Sequence, residues 1–244
     1  MKKYFFLFTL CVAILFVGLV FSCKKDSTND TPAYNCPAEN TTPTDIGLRT
    51  SFTEEFDLVY QLSTKGWVIK DNTPSNNNTG PGAAWTQGQF GHDKGGAWHG
   101  FAAYSYTTSR DEYVFSYVTA NSPVTINSWL ITPVLSVKNG DKISFYTRAD
   151  TTGNHTERMQ VLMNKSSSEN TGDHYNSVCS FNTVLLDINP GQVVNSYPTT
   201  WTKYEYTFSG ISGRMDTRVA FRHYVANTSS SKGIGIDLFK FEVN

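Results

Sequence analysis

The stretch Lys142-Ile143-Ser144-Phe145-Tyr146-Thr147-Arg148 alternates apolar and polar side chains and is rich in aromatic and β-branched residues. This alternation is the pattern of a β-strand that buries one of its faces. Four further segments share it, at residues 158–163, 203–208, 218–225 and 236–243. Turn residues such as Asn139-Gly140-Asp141 separate the segments, and no long stretch has helical spacing. The sequence therefore predicts an all-β protein built as an antiparallel two-sheet sandwich.

The beginning of the chain has the pattern of a signal peptide. Two lysines precede an uncharged, strongly apolar run over residues 4–22. The run ends in Val20-Phe21-Ser22-Cys23, which resembles the lipobox read by lipoprotein signal peptidase. We predict that residues 1–22 are removed and that Cys23 takes lipid, giving an outer-membrane lipoprotein that faces the periplasm or the cell surface. The alternative is a retained membrane span, because the run is about as long as a short transmembrane helix.

The rest of the chain divides by composition. Residues 23–49 are polar and contain scattered prolines, which predicts a flexible tether. Residues 50–244 have the size of one large β-sandwich. Lys and Arg number 20 against 21 acids and form no basic stripe, so nucleic acid is not expected as a partner. The predicted contact with a membrane is the lipid anchor.

Two cysteines remain once the leader is removed and Cys23 is lipidated. Cys36 lies in the predicted tether and Cys179 in the domain. In an oxidising compartment they could form a disulfide. The sequence leaves this pairing and two free thiols equally open, since pairing cannot be read from spacing alone.

A glycine-rich segment over residues 71–100 contains three aromatic residues, Trp85, Phe90 and Trp98. Long loops of this kind are either flaps packed over a sheet or binding surfaces. Flat aromatic rings suit sugar rings or the side chains of a protein partner. These three residues are therefore the candidate ligand-binding residues.

Several segments in register resemble the cleaved-adhesin family, which includes choice-of-anchor J domains and the haemagglutinin domains of gingipains. The sharpest element is Trp129-Leu130-Ile131-Thr132-Pro133, followed by the strand that starts at Ile143. Weaker elements are Glu54-Glu55-Phe56-Asp57, Gly66-Trp67, Ala102-Ala103-Tyr104-Ser105, Trp201-Thr202-Lys203-Tyr204, Ala220-Phe221-Arg222-His223-Tyr224 and Ile236-Asp237. The resemblance covers residues 52–243 and implies a jelly-roll sandwich related to galactose-binding and MAM-like domains, often calcium-bound and acting in adhesion. Its motif tryptophans are expected in the core.

Asp237 and Glu54 are the candidate metal ligands. In a continuous last strand Asp237 would point to the apolar side with Phe239, and Glu54 alternates in phase with Phe52. Two inward carboxylates repel unless a cation joins them, and hard oxygen ligands suit Ca²⁺. The resemblance places calcium at the same two ends of the domain, with Asp57 as a further ligand. The alternatives are a salt bridge to Lys or Arg, or a register shift that turns the acids to solvent.

The chain contains none of the catalytic spacings that the sequence can reveal. It lacks a close carboxylate pair on one strand, a G-x-S-x-G turn, a P-loop and a zincin motif. We therefore predict a non-catalytic surface module that binds a glycan or a protein. The alternatives are an accessory subunit of an envelope assembly and a carbohydrate-active enzyme, because fold and family do not fix a partner.

Overall fold

The computed structural model describes residues 36, 47–74, 84–91, 100–117, 125–150, 153–226 and 231–244. Its strands are β1 (Phe52–Glu54), β2 (Val68–Asp71), β3 (Thr86–Gln87), β4 (Val114–Ser116), β5 (Ile126–Ile131), β6 (Leu135–Val137), β7 (Lys142–Ala149), β8 (Met159–Met163), β9 (Thr183–Ile188), β10 (Thr202–Thr207), β11 (Met215–Thr217), β12 (Val219–Val225) and β13 (Ile234–Glu242). Between β1 and β2 lies a 3-10 helix, Val59–Lys65. The all-β prediction is confirmed, and the predicted strands coincide with β7, β8, β10, β12 and β13 within two residues at each end.

Two large antiparallel sheets make up the sandwich. One has the order β10-β7-β13-β4-β3, with β1 also paired to β13, and the other has the order β2-β5-β12-β8-β9. The short strands β6 and β11 form a separate pair. Because β1 pairs with β13, the first and last strands of the domain are neighbours. This arrangement confirms the predicted two-sheet antiparallel fold.

The core lies between the two sheets. Phe145 of β7 meets Phe221 of β12 with ring centroids 4.9 Å apart, and Phe239 of β13 lies 5.9 Å from Phe221. The alternation on β7 explains this placement, since Ile143, Phe145 and Thr147 are buried while Lys142 is exposed. Trp67 also belongs to this core. Trp129 is fully buried as well, but in a second cluster with Ile131, Leu162 and Phe181.

The last strand is not continuous. Opposite β7, the register of β13 shifts between Asp237 and Lys240, so that β13 carries one extra residue there. Leu238, inside this bulge, has a φ of 49°. An extra residue reverses the phase of the side chains that follow it. Asp237 therefore points to the outer face of the sheet while Phe239 points into the core, which corrects the phase that a continuous strand would give.

The residues before β1 already belong to the folded domain. The chain divides into a unit Met1–Ala33, which lies outside the described residues, and a unit Tyr34–Asn244. Leu48 donates its N–H to the carbonyl of Val134 at 2.8 Å, and Arg49 forms an ion pair with Asp141 at 2.7 Å. In the described ranges no helix is long and apolar enough to cross a membrane. The predicted leader and Cys23 lie outside those ranges.

Candidate ligand-binding groove and metal site

A pocket of about 490 Å³ lies between the 3-10 helix, β2 and β3. Trp67 and Trp85 line it, and each is only 2 % exposed. Tyr60 also lines it and is 75 % exposed. The indole nitrogen of Trp85 is buried and has no hydrogen-bond partner among the described residues. The pocket thus has aromatic walls, one of them formed by a residue that the sequence had identified.

A second pocket, of about 420 Å³, adjoins the first across Gln87, which lines both. The Gln87 side chain is fixed, because its Oε1 accepts from the N–H of Val59 at 2.9 Å and its Nε2 donates to the carbonyls of Phe56 and Asp111. Acids and hydroxyls line this second pocket: Asp57, Thr107, Thr108, Ser109, Asp111 and Glu112. We call the two pockets together the Gln87 groove. One of its ends is aromatic and the other acidic.

Glu112 organises the acidic end. Its carboxylate accepts hydrogen bonds from the backbone N–H groups of Thr107, Thr108 and Ser109 and from the hydroxyl of Thr108. Burial acts to raise the pKa of Glu112, but these donors overcome it and hold the pKa at about 2. The carboxylate is therefore ionised at neutral pH, and the turn that carries it is held in one conformation.

The other two predicted ligand-binding residues are Phe90 and Trp98. Phe90 is 37 % exposed, and the guanidinium of Arg110 lies 4.8 Å from its ring centroid. Its backbone N–H donates to the carboxylate of Asp111, which places Phe90 beside the acidic end of the Gln87 groove. Trp98 lies outside the described residues.

Glu54 has a cation as its partner. Its buried carboxylate accepts two hydrogen bonds from Nζ of Lys65, at 2.9 and 3.0 Å. Glu54 pairs in register with the core residue Phe239, so it points inward as the sequence predicted. The salt bridge to a lysine, one of the alternatives left open by the sequence, compensates its charge. Asp57, the third predicted ligand, is exposed and lines the acidic end of the groove.

Asp237 lies on the opposite face of the same sheet. Its Oδ2 accepts from the backbone N–H groups of Tyr104 and Ser105, at 2.7 and 3.0 Å, and its Oδ1 from that of Leu238 at 2.7 Å. Burial raises the pKa of Asp237 to about 7, outweighing the effect of these donors, and the negative charge of Glu55 adds to the rise. The carboxylate thus holds the segment after Phe101 against the outer face of the sheet.

The structure therefore does not bring the predicted calcium ligands together. Glu54 and Asp237 point to opposite faces of one sheet, and an ion cannot reach both. Among the described residues, no group of three or more His, Cys, Asp or Glu side chains is placed to hold a metal. The acid whose charge acts on Asp237 is Glu55. Oε2 of Glu55 is buried and has no hydrogen-bond partner in the described part of the chain.

The chain is similar in fold to several proteins of known structure. No protein-family model matches the chain, and no curated protein is significantly similar to it. The chain is similar to cleaved adhesin domains. The K1 domain of Lys-gingipain from Porphyromonas gingivalis W83 is 20 % identical, with a TM-score of 0.45, over 80 % of this chain and 99 % of that domain. The K2 domain of Lys-gingipain is 16 % identical, with a TM-score of 0.45, over 79 % of this chain and 99 % of that domain.

A carbohydrate-binding module is also similar. The xylan-binding CBM22-1 domain from Paenibacillus barcinonensis Xyn10C is 10 % identical, with a TM-score of 0.36, over 82 % of this chain and 97 % of that domain. At these identities the likenesses concern the fold alone.

A hydrogen-bonded Ser–His–Glu array lies within the sandwich. No sequence motif had indicated it. Ser116 Oγ is 2.9 Å from His223 Nδ1, and His223 Nε2 is 2.8 Å from Glu157 Oε2. All three side chains are fully buried. Glu157 also accepts from Ser231 Oγ and from the backbone N–H of Gly233. The array is a structural clamp inside the core, with His223 hydrogen-bonded on both ring nitrogens.

The two remaining cysteines are joined. Cys36 and Cys179 form a disulfide with Cα atoms 5.4 Å apart, across 143 positions of sequence. Cys179 belongs to the loop between β8 and β9, and the Ser177 hydroxyl in the same loop donates to the carbonyl of Thr171. The disulfide therefore links a residue of the predicted tether to this loop. Of the two alternatives that the sequence left open, the structure has the disulfide and not two free thiols.

Proposed function

We propose that this chain is a non-catalytic glycan-binding module of the bacterial cell envelope, anchored by lipid at Cys23. The observation that carries the proposal is the pocket at Trp85, with its aromatic walls. A sugar ring has an apolar C–H face and a rim of hydroxyls. Aromatic rings pack against the first, and a few fixed polar groups bind the second.

The acidic end of the Gln87 groove supports the same function. Ionised carboxylates accept strong hydrogen bonds from hydroxyl groups. The exposed Asp57 lies there, next to the aromatic end, with the fixed side chain of Gln87 between the two pockets. The groove therefore suits an oligosaccharide of more than one unit. Glu112 is unsuited to general-acid catalysis, because a glycosidase acid needs a raised pKa and that of Glu112 is about 2.

We expect Trp85→Phe to weaken oligosaccharide binding by about three- to tenfold, the value of roughly one hydrogen bond. Phenylalanine keeps an aromatic ring in the wall and removes only the indole N–H. The measurement is calorimetric titration of the full-length protein with neutral oligosaccharides of xylose, galactose or N-acetylglucosamine. Trp201→Phe is the matched control, because the Trp201 indole donates to the carbonyl of Ala102 and does not line the groove. The proposal fails if no oligosaccharide binds or if both variants bind as wild type does.

We further propose that Ca²⁺ binds at Asp237 and Glu55 and has a structural role. The support is the buried, unpartnered oxygen of Glu55 and the pKa of about 7 for Asp237, which burial raises and the charge of Glu55 raises further. A raised carboxyl pKa stabilises the fold below about pH 4 and loses that contribution as the pH rises through about 7. At and above neutral pH the ionised Asp237 is a cost that a hard cation would offset.

Calcium should raise the melting temperature of the wild type by about 8 °C when present at roughly 100 times its Kd. The rise should be larger at pH 8 than at pH 5, because the ion competes with the proton on Asp237. Glu55→Gln should abolish the response. Glu54→Gln, which breaks the pair with Lys65 on the other face, should lower the melting temperature and leave the calcium response intact. Equal melting in calcium and in EDTA for the wild type would refute the site.

The lipid anchor has its own test. Cys23→Ser should abolish lipidation and, because the lipobox then lacks its cysteine, removal of the leader as well, so the chain should lose its acyl mass and stay in the membrane fraction through the retained residues 1–22. Mass spectrometry of the N-terminal peptide and membrane fractionation measure both effects. Cys11→Ser, within the predicted leader, is the control and should be lipidated normally. If the wild-type chain itself keeps residues 1–22 and carries no acyl group, the run is a retained span.

A further inference from the structure

Two tyrosines are stacked on the outer face of the six-stranded sheet. The ring centroids of Tyr104 and Tyr146 lie 3.7 Å apart, with 15° between the ring planes. Tyr146 of β7 projects from the same face as Asp237 of β13, because the two residues are opposite each other in register. Tyr104 is 44 % exposed although its ring lies against Tyr146. The pair therefore presents an aromatic surface to solvent, which we call the tyrosine platform.

The backbone that carries Tyr104 is fixed on the sheet. Phe101 is buried there, and the guanidinium of Arg148 lies 4.4 Å from its ring centroid. A Cβ at Gly235 of β13 would lie 2.7 Å from the Phe101 ring, so the glycine leaves the room that this ring needs. Three residues further on, the N–H of Tyr104 donates to Asp237 at 2.7 Å. The platform is thus ordered before a ligand arrives, which reduces the entropy lost on binding.

The same segment continues into the Gln87 groove. Thr107 lines the acidic end of the groove, and its backbone N–H donates to the carboxylate of Glu112. Thr107 lies three positions after Tyr104 in the chain, which limits the distance between their Cα atoms to at most about 11 Å. Tyr106 lies between them and is 49 % exposed. The exposed residues of this short stretch therefore join the tyrosine platform to the groove.

The groups that border the platform suit a neutral sugar. Lys203 of β10 is opposite Tyr146 in register and pairs with Glu205 at 3.2 Å. The two side chains are about half exposed, so they offer donors and acceptors beside the rings. Hydroxyl groups both donate and accept, and the apolar C–H face of a sugar packs against aromatic rings. A ligand with charges of one sign would meet a like charge here, which favours a neutral polyhydroxylated ring.

We propose that the tyrosine platform is an outer subsite of the Gln87 groove, and that it binds the distal units of a long neutral glycan whose other units fill the groove. The inference rests on the glycan-binding function proposed above and makes that function selective for chain length. A short oligosaccharide fills the groove alone, whereas a long one also packs against Tyr104. The long glycan therefore gains affinity that the short one lacks.

The experiment compares disaccharides with hexasaccharides by calorimetric titration of the full-length protein in detergent. The probes are β-1,4-linked oligomers of xylose, of galactose and of N-acetylglucosamine. We expect at least one hexasaccharide to bind the wild type more tightly than its disaccharide does. Tyr104→Ala should weaken binding of that hexasaccharide by about three- to tenfold and leave disaccharide binding unchanged. Tyr104→Phe keeps the ring and should bind the hexasaccharide as the wild type does.

Tyr175→Ala is the matched control, because Tyr175 is also exposed, at 38 %, but lies in the loop between β8 and β9. It should leave both affinities unchanged. The outer subsite is overturned if Tyr104→Ala binds the hexasaccharide as Tyr175→Ala does, or if it loses affinity equally for both lengths. A wild type that binds the two lengths equally well overturns it without any variant. Absence of all oligosaccharide binding refutes the glycan-binding function itself, whereas the other outcomes refute only the outer subsite.

Discussion

Glu157→Gln should lower the free energy of unfolding by about 3–5 kcal/mol, because it removes a buried charged acceptor from several buried donors. The carboxylate lies in the core and accepts from His223 Nε2, from Ser231 Oγ and from the N–H groups of Lys232 and Gly233. Glutamine has one acceptor oxygen in place of two and turns an NH₂ group toward these donors. Several buried donors would then be left unpaired.

The measurement is urea unfolding at pH 7 of wild type, Glu157→Gln and Glu205→Gln. Glu205 is the matched control, because it lies on a strand with its side chain 54 % exposed and pairs only with Lys203, another surface residue. Its substitution should change stability by less than about 0.5 kcal/mol. A loss below about 1 kcal/mol for Glu157→Gln would contradict the view that this carboxylate clamps the core.

Glu157 also makes the stability of the protein depend on pH. Burial acts to raise the pKa of Glu157, but the hydrogen bond and charge of His223, with the backbone donors, hold it below its ordinary value. A depressed carboxyl pKa contributes stability above the unfolded value of about 4.3 and loses it as the pH falls through the folded pKa. The stability gap between wild type and Glu157→Gln should therefore narrow below about pH 4.

The sequence was most informative where strands alternate without interruption. The stretch Lys142–Ala149 has one buried and one more open face, and both its period and its bounds could be predicted. Strand β9 was missed because it carries one extra residue, Leu185, opposite Val161 and Leu162 of β8, so that no simple period runs through it. The 3-10 helix Val59–Lys65 is too short to give a helical period, yet it forms a wall of the candidate groove.

The candidate sites were harder to predict for the same physical reason. Composition indicated Trp85 as a ligand-binding residue, but only the fold places Gln87 and Asp57 beside it. The Ser116, His223 and Glu157 side chains come from segments far apart in sequence, so no spacing could reveal their contact. The bulge at Leu238 decided the orientation of Asp237, and bulges leave little trace in a single sequence.

The role that the sequence assigned to a metal, joining the first and last strands, is performed by an aromatic cluster around Phe239. Its ring lies 5.7 Å from that of Phe52 on β1, 5.3 Å from Trp67 and 5.9 Å from Phe221 on the facing sheet. It is fully buried because the bulge turns it inward. One side chain therefore contacts the first strand, the segment after the 3-10 helix and the opposite sheet.

Phe239→Ala should accordingly lower the free energy of unfolding by about 3–5 kcal/mol. The substitution removes buried apolar surface and leaves a cavity among three rings that cannot all move to fill it. Chemical unfolding of the full-length protein, with and without calcium, measures the loss. Phe90→Ala, at a residue that is 37 % exposed, is the control and should cost less than about 1 kcal/mol. If Phe239→Ala is tolerated in EDTA, packing does not hold the two strands together. If calcium restores the lost stability in full, the ion at Asp237 contributes more than the aromatic core to holding the first and last strands together.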